Sequence, residues 1–124
     1  MSHYLNPMNF CQMEIPVRNF IESKKFYQDV FGWSVVPVEL HDYVVLKVPK
    51  ECSFGVSLVP ALSDVPNQSQ APIIYFRCED PNPILDALAN SKGRFLLGPK
   101  TMPGFGKVIQ LADPDGNRWG LFLP

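Results

Sequence analysis

Phe10-Cys11-Gln12-Met13-Glu14-Ile15-Pro16-Val17-Arg18-Asn19, continued through Phe20 to Trp33, is the stretch whose reading decides the fold. From Phe10 to Val17 apolar and mixed side chains alternate, the period of a strand with one drier face. Asn19 stops that pattern, and with Glu22 three residues later it forms the N-cap and N3 pair of a capping box. Phe26 with Val30 and Tyr27 with Phe31 then recur at helical i, i+4 spacing, and Gly32 supplies the residue just past the helix end. The reading is a strand followed directly by a helix.

Working outward, three short strands follow, Trp33 to Val38, Tyr43 to Val48 and Phe54 to Val59, separated by His41-Asp42 and by Pro49 to Ser53. The second half repeats the order. Pro72 to Cys78 reads as a strand, Asp80 as an N-cap with Pro81 at N1, and Ile84, Leu85 and Leu88 as the apolar stripe of a helix that stops at Gly93. The caps Asn19 and Asp80 lie 61 residues apart, and so do the glycines Gly32 and Gly93. A short strand from Arg94 to Leu97 follows, and two more strands flank the turn Asp113-Pro114-Asp115-Gly116-Asn117. The fold class predicted is α+β, a βαβββ unit used twice within one domain over 1–124. Module one covers about 8–60 and module two about 72–124, joined by the polar, proline-bearing stretch from Pro60 to Ala71.

A length of 124 residues suits a single domain, and 46% hydrophobic with 19% charged residues is a globular balance rather than a disordered one. Eleven Lys and Arg against twelve Asp and Glu leave a net charge of −1 with no basic face, which argues against nucleic acid as a partner. The apolar run from Val30 to Val38 is broken by Gly32, Ser34 and Pro37, well short of the ~18 residues a membrane span needs. Met1 to Pro7 lacks the basic and apolar regions of a secretory signal, so a cytoplasmic location is predicted. Cys11, Cys52 and Cys78 are odd in number and widely spaced, and read as free thiols.

Glu14-Ile15-Pro16-Val17, Phe26-Tyr27, Val30-Phe31-Gly32-Trp33 and Asp113-Pro114-Asp115-Gly116-Asn117, in that order, resemble the vicinal oxygen chelate superfamily of glyoxalases, bleomycin-resistance proteins, fosfomycin-resistance enzymes and extradiol dioxygenases. The resemblance covers Phe10 to Pro124 and implies two curved sheets around a cleft, often completed by a second subunit, so a homodimer is expected. It also implies metal ligands on the first and last strand of each module. Those positions fall on Gln12, Ser57, Ile73 and Gly120, of which only Gln12 is a plausible donor, so no metal and no cofactor is expected. His3, in the N-terminal tail, and His41, beside a turn, do not repair the set.

Strand alternation places residues of the same parity on the cleft side. That set holds Gln12, Glu14, Ser57, Val59, Ile73, Tyr75, Arg77, Arg118 and Phe122, while Met13, Ile15, Ile74, Phe76, Trp119 and Leu121 read as core. Gln12, Ser57, Tyr75, Arg77 and Arg118 are the expected ligand-binding residues, with Phe105 near the mouth on a glycine- and proline-rich loop from Gly98 to Gly106. Glu14 is the candidate catalytic residue, a general base, and equally a structural partner of Arg77 or Arg118. The function expected is binding of a small organic molecule in a metal-free cleft, by sequestration or mild acid-base chemistry. The alternatives are a metal-dependent lactoylglutathione-lyase-like isomerase and a non-catalytic interaction subunit.

Overall fold

The structure, a computed structural model, describes residues 10–38, 41–52, 54–61 and 71–124. His3 and most of the Pro60 to Ala71 connection lie outside the described residues. Module one runs β1 (Gln12–Val17), α1 (Phe20–Phe31), β2 (Ser34–Val35), β3 (Val44–Lys47) and β4 (Gly55–Pro60). Module two runs β5 (Ile74–Arg77), α2 (Asn82–Ala89), β6 (Arg94–Met102), β7 (Gly106–Ala112) and β8 (Arg118–Leu123). Each module is βαβββ with a four-stranded sheet, ordered β1-β4-β3-β2 and β5-β8-β7-β6. In both, the first strand pairs parallel with the last, with Glu14 opposite Ser57 and Tyr75 opposite Gly120.

The first helix is bounded as its sequence requires. Asn19 Oδ1 accepts from the Glu22 amide at 3.0 Å, and Gly32 at φ 75° ends the helix while the Trp33 amide donates to the Tyr27 carbonyl at 3.0 Å. The second helix departs from expectation. Asp80 caps from one position further out, accepting from the Asn82 amide at 3.0 Å, and the helix stops at Ala89 with Asn90 rather than a glycine at its end. Gly93 serves a different need, because a Cβ there would lie 2.6 Å from the Ala112 carbonyl oxygen and 2.4 Å from the Phe26 ring. The matching glycine spacing therefore joins two positions with unrelated roles.

The long loop read from Gly98 to Gly106 is another correction. β6 continues through it to Met102, leaving a turn only over Pro103 to Phe105. β6 is an edge strand, so Pro99 removes no hydrogen bond that a neighbour on its outer side would need, and the register shifts between Phe95 and Lys100 absorb the irregularity. Gly98 at φ 109° is obligatory, since a Cβ there would meet the Val108 carbonyl oxygen at 2.4 Å.

The core is shared by the modules. Tyr27 stacks on Trp33 at 5.7 Å and Phe76 on Trp119 at 5.5 Å, and the two stacks meet edge-on, Tyr27 against Trp119 and Trp33 against Phe76. Ile15, Val17, Phe26, Val30, Leu46, Val56, Leu58, Leu88, Ile109, Leu111 and Leu121 complete the buried cluster. The Asp113 turn of module two docks on the start of α1. Tyr27 Oη donates to Asp113 Oδ2 at 2.7 Å, Trp119 Nε1 donates to Tyr27 Oη at 3.0 Å, Asn117 Nδ2 donates to the Pro16 carbonyl at 3.0 Å, and the Arg18 amide donates to Asp115 Oδ1 at 3.2 Å. The Asp-Pro-Asp-Gly-Asn motif is thus a fastener between modules. Ile74 is the exception to the expected core, 36% exposed because it sits at the seam where β1 and β5 face each other without pairing.

Candidate functional site

On each sheet the face away from the helices carries a small polar cluster built over a glycine. In module one the Gln12 side chain lies over its strand partner Gly55, where a Cβ would come 2.6 Å from Gln12 Oε1. Gln12 Nε2 donates to Ser57 Oγ at 2.9 Å and to Tyr43 Oη at 3.4 Å, and under this cover Ser57 is only 1% exposed. In module two the Tyr75 ring lies over its partner Gly120, where a Cβ would fall 2.2 Å from the ring, and Gln110 Nε2 donates to Tyr75 Oη at 2.6 Å.

These clusters take in Gln12, Ser57 and Gly120, three of the four positions at which the family resemblance implies metal ligands, with Ile73 the fourth, and the donor set does not fit a divalent ion. Gln12 is engaged with Ser57 and Tyr43, Ile73 offers no donor, and the space at Gly120 is filled by an aromatic ring. Among the described residues no three His, Cys, Asp or Glu side chains gather into a possible site. His41 sits in an exposed turn with its Nε2 3.1 Å from Asp42 Oδ2.

The residues expected to share one cleft are distributed over several hollows. One of them, about 490 Å³, lies on module two and is lined by Tyr75, Leu97, Lys100, Met102, Phe105, Val108, Gln110 and Phe122. Tyr75, Phe122 and Phe105 were expected at the cleft, and Phe105 stands 78% exposed at the β6–β7 turn. Glu14 and Arg118 meet instead in a hollow of about 150 Å³ at the β1–β5 seam, with Met13, Ile74 and Trp119. Gln12 and Ser57 line neither. Arg77 lies at the end of β5, its Nε 3.7 Å from Glu79 Oε2, beside a third hollow of about 310 Å³ that Cys52, Cys78 and Trp33 also line. Burial raises the Cys78 thiol above its ordinary pKa, which keeps it protonated near neutrality.

Leu97, Val108 and Gln110 escaped the sequence reading, which assigned cleft faces only on the first and last strand of each module, and Lys100 and Met102 entered it only as members of the loop that carries Phe105. The signal was present in β7, where Val108 and Gln110 alternate with the buried Ile109 and Leu111.

Paired βαβββ modules with the Asp113 fastener define the class of fold. The chain belongs to the Glyoxalase/Bleomycin resistance protein/Dioxygenase superfamily, whose family model matches residues 5–121. Among solved structures it is similar to a glyoxalase-related enzyme from Fulvimarina pelagi, at a TM-score of 0.77 and 16% identity over 95% of this chain and 89% of that one. It is also similar to TnmS3, an antibiotic binding protein from Streptomyces sp. CB03234, at 0.73 and 22% over 98% and 99%. A third is the fosfomycin resistance protein FosX from Listeria monocytogenes, at 0.72 and 11% over 98% and 95%. At these identities the likeness is one of fold. No curated protein matches in sequence.

Proposed function

We propose that this protein binds and sequesters a small organic molecule, without a metal, in the hollow on the outer face of the module two sheet. The observation that carries this reading is the hollow itself. Its volume of about 490 Å³ falls in the usual range for small-molecule pockets, ~300–1,000 Å³, and its walls are mainly apolar with a few placed polar groups. Two structural neighbours, an antibiotic binding protein and a fosfomycin resistance protein, support a small organic ligand. Glu14 lines a different and much smaller hollow, so sequestration is favoured over acid-base turnover. We further propose a cytoplasmic homodimer in which a second copy covers part of the exposed apolar surface.

Two measurements test the reading. A panel of small aromatic compounds should give binders whose amide NMR shifts concentrate on Leu97 to Gln110 and Tyr75; shifts gathered at Glu14 and Arg118 instead would move the site to the seam. Protein purified from cells should carry no stoichiometric divalent ion. About one zinc, nickel or iron per chain, lost on Gln12→Ala, would overturn the metal-free reading in favour of an isomerase-like site.

A further inference from the structure

The charge and donor pattern of the module two hollow narrows its ligand further, on the premise that this hollow is the ligand seat. Of its eight lining residues only Lys100 is charged, and no carboxylate is among them. Lys100 is exposed, and no ion pair involves it among the described residues. The second polar feature is also a donor. Because Tyr75 Oη accepts from Gln110 Nε2 at 2.6 Å, its own proton is left to donate outward. The rest of the wall is Leu97, Met102, Val108, Phe122 and the overhanging Phe105, side chains that pack well against rings.

We infer that the hollow takes an aromatic monoanion, its ring system held between the apolar wall and Phe105 and its carboxylate or equivalent anionic oxygen directed to the Lys100 ammonium and the Tyr75 hydroxyl. An ammonium and a hydroxyl donor facing one apolar space favour an acceptor-only anionic group, and a cationic ligand there meets repulsion and no counter-charge.

The test uses the intact chain and three probes that share one ring system: 2-naphthoate, neutral 2-naphthamide and 2-naphthylmethylammonium, each titrated to millimolar concentration by calorimetry and by amide NMR. The expected result is that naphthoate binds at least tenfold tighter than the amide, and that the ammonium binds weakest. Lys100→Met should abolish the advantage of naphthoate over the amide, and Lys100→Arg should keep it. Lys100 is exposed, so both variants are expected to fold, which their NMR spectra report directly. Naphthoate no tighter than the amide, or an advantage that survives in Lys100→Met, overturns the anion assignment while leaving the hollow as the seat. Failure of all three probes to shift any residue of the hollow overturns the seat itself, and the proposed function with it.

Discussion

Asp113 is 1% exposed and accepts four hydrogen bonds, from the amides of Asp115 and Asn117 to Oδ1 and from Tyr27 Oη and Asn117 Nδ2 to Oδ2. Asp113→Asn would place an amide donor against two donors at Oδ2, so a loss of about 1.5–3 kcal/mol in urea unfolding is expected, the range for hydrogen bonds to a charged group. Burial, the largest influence, raises the Asp113 pKa above 3.8 despite those hydrogen bonds. The folded chain therefore holds this proton more tightly than the unfolded chain does. The corresponding stability is fully present below the unfolded pKa and is lost as pH rises through the folded one. Unfolding free energies measured upward from the ordinary carboxyl value of 3.8 should contain this downward component in the parent and lack it in Asp113→Asn. A second substitution separates site from scaffold. Gly120→Ala forces its new methyl into the Tyr75 ring, which is 40% exposed and must move outward and give up its hydrogen bond from Gln110. Binding in the hollow should then weaken several-fold with a small change in melting temperature; unchanged binding would remove Tyr75 from the site.

At the level of elements, Gly32 at the end of α1 and Gly93 beyond the end of α2 give different mechanisms for the same substitution. Gly32 has φ 75° and nothing within 4 Å of a Cβ, so Gly32→Ala should cost only the left-handed strain, about 1–2 kcal/mol. Gly93→Ala meets the Ala112 carbonyl and the Phe26 ring and requires the α2–β6 connection to move. It should be the more destabilising of the two by urea denaturation, and a smaller loss than for Gly32→Ala would show that this connection yields easily. β6 illustrates why element boundaries depend on neighbours. Its glycine and proline argue for a loop when read alone, yet pairing of Lys100, Thr101 and Met102 with Val108, Lys107 and Gly106 keeps the chain extended.

For the whole molecule, the outer edges of the two sheets are β2, only two residues long, and β6, nine residues long. On and beside β6, Phe95, Leu97, Met102 and Phe105 are exposed, an apolar surface on an open edge of the kind that a second copy covers. Sedimentation at tens of micromolar should therefore give a dimer. A monomer would defeat that proposal and leave the fold and the hollow untouched. The modules themselves are already joined within the chain, through the Asp113 turn and the edge-on meeting of the Tyr27–Trp33 and Phe76–Trp119 stacks.

The sequence by itself determined the repeated βαβββ order, the bounds of the first helix, the faces of the central strands and the family, because strand alternation, helical spacing and capping are interactions between residues close along the chain. It also put Tyr75 and Phe105 toward the side where both line the module two hollow, since side-chain parity and turn composition are local properties. Only the tertiary structure decided that Glu14 and Arg118 share the seam, that Arg77 lies beside a third hollow, and that Lys100 and Gln110 join Tyr75. Parity assigns a side chain to one face of its own strand. Which hollow that face opens into depends on how the two sheets are held, and they are held by contacts such as Tyr27 to Asp113 and Asn117 to Pro16, which span 86 and 101 residues. No local period encodes contacts at that separation; they follow from packing two complete modules against one aromatic core.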